Sequence, residues 1–266
     1  MKHFILTTSP GKNGIIRLEG EDYHYLVRVR RLSPGKSFSA LLPSGEKAVV
    51  RLTSIDGGVL TGECTMEQAG SSVSGISAGR ERRAKLPPVI LFQALPKGEK
   101  MDLIVRQAAE TGLTEIYPFR GEFSIPKIKR KEDKLFRWQR IIKEARQQSG
   151  SPAATVVHEP MSSDELFACW EALKNKGALG LLFHQIPLEN ASLHGYLDNN
   201  TQLVVLAIGP EGGFSNSELS RFMEAGFKSF TVGDTVLRTE TAALYAAAAI
   251  QIILLERDSW EMKQRR

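Results

Sequence analysis

Cysteine is scarce. The 266 residues contain two, Cys64 and Cys169, far apart and with no paired ligand spacing around either. That excludes a disulfide framework, and no zinc site can be built from them; both are expected to be reduced, half-buried residues. A long unbroken apolar run is also missing. The most apolar stretch, Ala242 to Leu255, is interrupted by Tyr245 and Gln251, and it falls short of the roughly 20 residues a membrane span needs. Met1 to Thr7 carries no signal-peptide core or cleavage site. The expected setting is therefore cytoplasmic, with no membrane and no metal among the partners. There is no Gly-Lys-Ser/Thr after a glycine loop and no G-x-G-x-x-G after a strand. Those absences argue against a nucleotide-hydrolysing P-loop, a dinucleotide fingerprint and the common open-sheet methyltransferase design. No internal repeat is found.

What is present is ordinary in amount: 42% apolar and 24% charged residues, enough for a real core. The net charge of +5 leans toward a polyanionic partner, and the placement of that charge matters more than its sum.

The first third reads as short strands with tight turns. Ala48 to Leu52 and Val59 to Thr61 are bounded by Pro43-Ser44-Gly45 and Asp56-Gly57-Gly58. One helical piece beginning near Glu21 carries His24, Arg28, Arg30 and Arg31, so a small β-barrel with one helix fits. Residues 69 to 79 are Gly/Ser/Ala-rich, and a charged run then leads to Pro87-Pro88, a composition that marks a boundary. From residue 89, strands alternate with helices. Strands are expected at Val89–Phe92, Ile116–Phe119, Ala178–Phe183 and Leu203–Ala207. Helices are expected around Met101–Ala109, from Lys131 to Gln148, and from Thr239 to Leu255. The last is apolar on nearly every side and is expected to be covered all round. This alternation predicts a mostly parallel sheet with helices on both faces.

Two segments carry chemistry. In the first, a buried strand ends at Ile208, and Gly209-Pro210-Glu211-Gly212-Gly213 leads to a helix for which Ser215 and Glu218 form a capping box. Such loops sit beyond the carboxyl ends of strands, where open α/β sheets bind ligands, and glycines let the backbone approach closely. The second, Val232 to Ala242, again joins a short strand to a helix. Thr239 or Thr241 can cap that helix, and Glu240 suits its positive end. Capping does not account for Arg238, a permanent charge at the mouth of an apolar helix.

These two segments, in this order and separation, closely resemble the SPOUT superfamily. Within it they are most similar to the RsmE family of bacterial 16S ribosomal RNA uracil-N3 methyltransferases. Family-like stretches also occur at Gly98-Glu99-Lys100-Met101, Ala109-Glu110-Thr111-Gly112, Ile116-Tyr117-Pro118, Arg137-Trp138-Gln139-Arg140-Ile141 and Gln148-Ser149-Gly150. His24-Tyr25-Leu26 through Val29-Arg30-Arg31 is similar too. The resemblance implies an α/β trefoil-knotted SPOUT methyltransferase domain (residues 89–266) preceded by a small PUA-like β-barrel domain that binds RNA (1–70), with a linker at 71–88. Periodicity alone gives no knot. The resemblance further implies S-adenosyl-L-methionine as cofactor, 16S rRNA or the small ribosomal subunit as partner, and a homodimer. Its cofactor site would comprise Leu182, Ile208, Gly209, Pro210, Glu211, Gly212, Gly213, Val232, Gly233, Leu237, Thr241 and Ala242.

For catalysis the candidates are Arg238, whose guanidinium favours loss of the uracil N3 proton, and Glu240, which orients Arg238 or accepts that proton. Arg28, Arg30 and Arg31 form one basic patch expected to hold RNA phosphates, and Arg130, Lys134, Arg137 and Arg140 form another. Three positions depart from the family pattern. Gly121-Glu122-Phe123-Ser124 stands where an arginine is usual, as does Ser151, and His3 replaces an arginine near the start. Two other readings remain: methylation of another RNA nucleotide, and a non-catalytic RNA-binding assembly factor of the same fold.

Overall fold

A computed structural model describes residues 3–67, 86–124, 131–185, 192–198, 200–233 and 235–264. Most of the expected linker, together with Arg130, lies outside them. The chain divides into two compact units, Met1–Arg82 with Lys143–Ala154, and Arg83–Ile142 with Thr155–Arg266.

The first unit holds a five-stranded sheet in the order β1-β3-β4-β5-β2, formed by Phe4–Ile5, Ile15–Leu18, Ser37–Leu41, Lys47–Asp56 and Val59–Met66 in chain order. All pairs are antiparallel except β1 with β3. Alternation along β4 puts Ala48, Val50 and Leu52 inside, where they pack with Phe4, Phe38 and Leu60. The expected helix is short: α1 spans Gly20–Tyr23 and widens into a π-helical stretch, His24–Val29. Leu26 anchors it in the core. Arg30 and Arg31 therefore lie beyond the helix, not within it, and Arg31 turns the chain with a left-handed φ of 52°.

The second unit is built on a six-stranded parallel sheet, β11-β9-β10-β6-β7-β8. In chain order these are β6 Val89–Ala94, β7 Glu115–Phe119, β8 Val156–Val157, β9 Leu179–Phe183, β10 Val204–Ile208 and β11 Lys228–Phe230. The helices are α2 Lys100–Thr111, α3 Lys131–Ser149 (which runs on into the first unit's residues), α4 Ser163–Lys174, α5 Leu193–Tyr196, α6 Asn216–Glu224 and α7 Thr239–Gln264. Because strand side chains alternate, β6 sends Ile90, Phe92 and Ala94 to one face and Leu91 and Gln93 to the other. The first set packs with Val205 and Ala207 of β10 and with Phe167, Trp170 and Phe222 from α4 and α6. Gly180 in β9 makes that packing possible: a β-carbon there would lie 2.8 Å from the Trp170 ring and 2.9 Å from Phe227.

On the opposite face, Ile104 and Ala108 of α2 meet Ala243 and Ala247 of α7. The α7 helix corrects two expectations. It is longer than the sequence suggested, and its stretch Thr239–Glu256 is long and apolar enough, by length and composition alone, to cross a membrane. It is also not covered all round within one chain. Ala242, Ala243, Ala246, Ala247, Ile250 and Leu254 are buried, but Tyr245, Ile252 and Leu255 are exposed. The α4 helix, opened by a Ser162/Glu165 capping box, was not anticipated.

Candidate active site

The site forms where β9, β10 and β11 end side by side, because parallel neighbours present their carboxyl ends to one edge. One cleft there is lined by Phe183, His184 and Gln185 after β9, by Ile208 to Phe214 after β10, and by Thr231, Thr235, Val236, Leu237, Thr239 and Ala242 from β11 to α7. The two loops singled out in the sequence thus face each other.

The glycine loop is tightly tied. The Gly213 amide donates to the Pro210 carbonyl at 2.9 Å, closing a turn, and Gly213 holds a left-handed φ of 71° that suits glycine. The Glu211 carboxylate accepts from the Lys97 amide at 3.0 Å and pairs with the Lys100 ammonium at 2.7 Å. Burial would raise the Glu211 carboxyl, but the Lys100 hydrogen bond, the backbone amides and the Lys100 charge together hold it below its ordinary value. Beyond the loop, Ser215 and Glu218 make the expected capping box.

Thr239 ties the second loop to the first. Thr239 does not cap α7 with its side chain; its hydroxyl donates to the Gly209 carbonyl at 2.7 Å and accepts from the buried Gln93 amide at 3.0 Å. A chain of bonds therefore runs from β6 through α7 to the glycine loop. Lys100 adds another link, since Glu240 lies 3.8 Å from the ammonium that already pairs with Glu211. Glu240 is 13% exposed, while Arg238 is exposed at the end of the loop.

Of the residues expected to hold a cofactor, Ile208, Gly209, Pro210, Glu211, Gly212, Gly213, Leu237 and Ala242 line the cleft. Leu182 is fully buried in the core beneath it. Val232 and Gly233 lie in the rim segment between Thr231 and Thr235, and Thr241 is exposed on the first turn of α7. The sequence reading missed Phe183, His184, Gln185, Phe214 and Thr231; Thr235, Val236 and Thr239 lie in the second segment it singled out, though not among the individual contacts it named. Strand order, which no local pattern carries, brings the β9 end beside the glycine loop. Among the expected RNA contacts, Arg28, Arg30 and Arg31 are exposed together, as are Arg137 and Arg140, and Lys134 is half-buried. Arg137 is engaged by Glu99 at 3.1 Å and by Asp102. Among the described residues no cluster could hold a metal ion.

Comparison with known proteins accords with this geometry. A family model described as an RNA methyltransferase domain matches residues 83–251, and one described as an RNA methyltransferase PUA domain matches residues 18–62. A ribosomal RNA small subunit methyltransferase E of Synechocystis sp. is 31% identical over 242 residues, covering 90% of this chain and 73% of that protein. The chain belongs to this methyltransferase family. The Bacillus subtilis member is 28% identical, with 88% of each chain covered. A crystal structure of the Neisseria gonorrhoeae member, bound to S-adenosyl methionine, superposes with a TM-score of 0.75 at 26% identity, covering 95% of this chain and 98% of that one. The family fold is that of a SPOUT methyltransferase with a PUA domain, as the sequence implied.

Proposed function

We propose that this protein methylates N3 of a uridine in 16S rRNA of the small ribosomal subunit, using S-adenosylmethionine. The observation that carries the reading is the single cleft in which the glycine loop and the Val232–Ala242 segment meet at the ends of three parallel strands. The residues present fit the cofactor. Ile208, Val236, Leu237 and Ala242 give apolar walls for a flat ring. The glycine loop is tightest at its start: a β-carbon at Gly209 would lie 3.1 Å from the Gly213 carbonyl carbon. The bound cofactor supplies an electrophilic methyl group on a sulfonium.

The chain's own residues do the rest. Uridine N3 is protonated and a poor nucleophile, so its proton must leave as the new N–C bond forms and the S–C bond breaks. Arg238, beside the cleft and permanently charged, stabilises the negative charge that develops on the uracil carbonyls. Glu240 accepts the proton or orients Arg238, and Lys100 fixes its position relative to the glycine loop. The exposed arginines at 28, 30 and 31 hold RNA phosphates, in a PUA-like unit joined to the methyltransferase unit through residues 71–88. The uncovered apolar side of α7 (Tyr245, Ile252, Leu255) suits a second copy of the chain and hence a homodimer. A knotted path through the second unit and a cytoplasmic setting, where ribosomal RNA is found, belong to the same proposal.

The test is transfer of labelled methyl from S-adenosylmethionine to small subunits lacking 3-methyluridine, followed by nucleoside analysis. Label in 3-methyluridine is expected. Label in another nucleoside would move the target, and no label despite cofactor binding would favour an assembly factor.

A further inference from the structure

The site does not stop at the glycine loop. On the other side of Gly212 lies an open cavity of about 510 Å³ lined by Lys97, Glu122, Phe123, Ser124 and Gly212. Gly212 lines both this cavity and the cofactor cleft, so the two share a wall of bare backbone. Phe123 is 47% exposed at that wall. Its β-carbon would lie 3.0 Å from any β-carbon placed on Gly212, so glycine is what lets the aromatic residue sit against the loop.

Phe123 is presented by a built turn. The Ser124 amide donates to the Gly121 carbonyl at 3.0 Å, and the Gly121 amide donates back to the Ser124 hydroxyl at 3.1 Å. The Glu122 amide donates to the buried Glu218 carboxylate at 2.9 Å, and the Ser217 hydroxyl donates to the Glu122 carboxylate at 3.0 Å. Four hydrogen bonds thus hold a half-exposed ring at the edge of a cofactor cleft. An aromatic face so placed is a stacking surface for a base displaced from its helix. Lys97, exposed at the same cavity, adds a cation for phosphate or a base carbonyl.

We propose that Phe123 is the platform on which the target pyrimidine stacks, with Lys97 at its rim. This rests on the reading of the protein as an RNA methyltransferase. The test compares wild type with Phe123→Leu, Phe123→Tyr and Phe123→Trp. Leucine keeps the aliphatic contact with Gly212 but removes the flat ring. The expected result is a KM for small subunits raised about tenfold in Phe123→Leu and largely restored in Phe123→Tyr, with unchanged affinity for S-adenosylmethionine. Phe123→Trp, saturated with S-adenosylhomocysteine, should show indole fluorescence quenched by a uridine-containing oligonucleotide, a readout that needs no turnover. An unchanged KM in Phe123→Leu, or loss of cofactor affinity in the leucine and tyrosine variants alike, would overturn the platform. If wild type transfers no methyl at all, the methyltransferase reading fails, and the quenching measurement decides the platform alone: quenching supports it and its absence overturns it.

Discussion

The two loops that face each other across the cleft are built differently. The glycine loop is fixed from three sides: by its own turn, by Lys97 and Lys100 on Glu211, and by Thr239 on the Gly209 carbonyl. Among its described residues, the loop before α7 is more exposed by comparison. Val236 is 77% exposed, Arg238 is exposed, and Thr231 makes a local bond to the Gly233 carbonyl. Few buried contacts and exposed backbone mark the segments that yield first. The difference suits a division of labour in which a preformed wall receives the cofactor and a looser wall brings Arg238 to the substrate.

The largest expected effect separates these tasks. Arg238→Ala should lower kcat by about 100-fold or more, as for other groups that stabilise developing charge, while calorimetry shows S-adenosylmethionine affinity unchanged. Unchanged turnover would remove Arg238 from the chemistry. Thr239→Val acts on the other wall. It removes the hydroxyl donor to the Gly209 carbonyl and leaves the buried Gln93 amide with only its bond to the Ala94 carbonyl, at a cost of about 1–3 kcal/mol. Cofactor affinity should fall about tenfold or more for that change, and wild-type affinity would show that the loop does not need this tether.

What each loop owes to its surroundings also bears on how much the sequence could tell. The Ser215/Glu218 capping box is legible because its signal spans four residues, and the parallel sheet is legible from alternation. The Ser162/Glu165 box is an equally local signal that the sequence reading did not use, and α4 went unexpected with it. The tether through Thr239 is not legible. Gln93 is 146 residues away from it and Gly209 is 30, so the local pattern suggests only a cap. The same holds for Lys100 and Glu211, 111 residues apart, and for Phe183 and Gln185, which strand order alone brings into the cleft. In the sequence Phe123 stands out only as part of a departure from the family pattern; its position against Gly212 gives that departure a use.

Two smaller predictions sharpen the comparison. Replacing Arg28, Arg30 and Arg31 by alanine should weaken RNA binding and lower the slope of its salt dependence by about one for each phosphate no longer neutralised, with cofactor affinity untouched. Unchanged salt dependence would place the RNA-binding surface elsewhere. Glu211→Gln should cost about 1 kcal/mol at neutral pH, since the tie is partly exposed. The Glu211 carboxyl is held below its ordinary value of 4.5. Its contribution is therefore present above that value and is lost as pH falls through the lowered one. Wild type and Glu211→Gln should differ in melting temperature near pH 7 and converge in more acidic solution; a difference that grew on acidification would contradict the assignment.

The most direct test of the two-walled cleft is hydrogen exchange with and without S-adenosylmethionine. Without cofactor, the amides of Val236 to Arg238 should exchange faster than those of Gly212 and Gly213. With it, both segments should slow, and the larger gain should fall on Val236 to Arg238. Protection confined to another part of the chain would contradict the account.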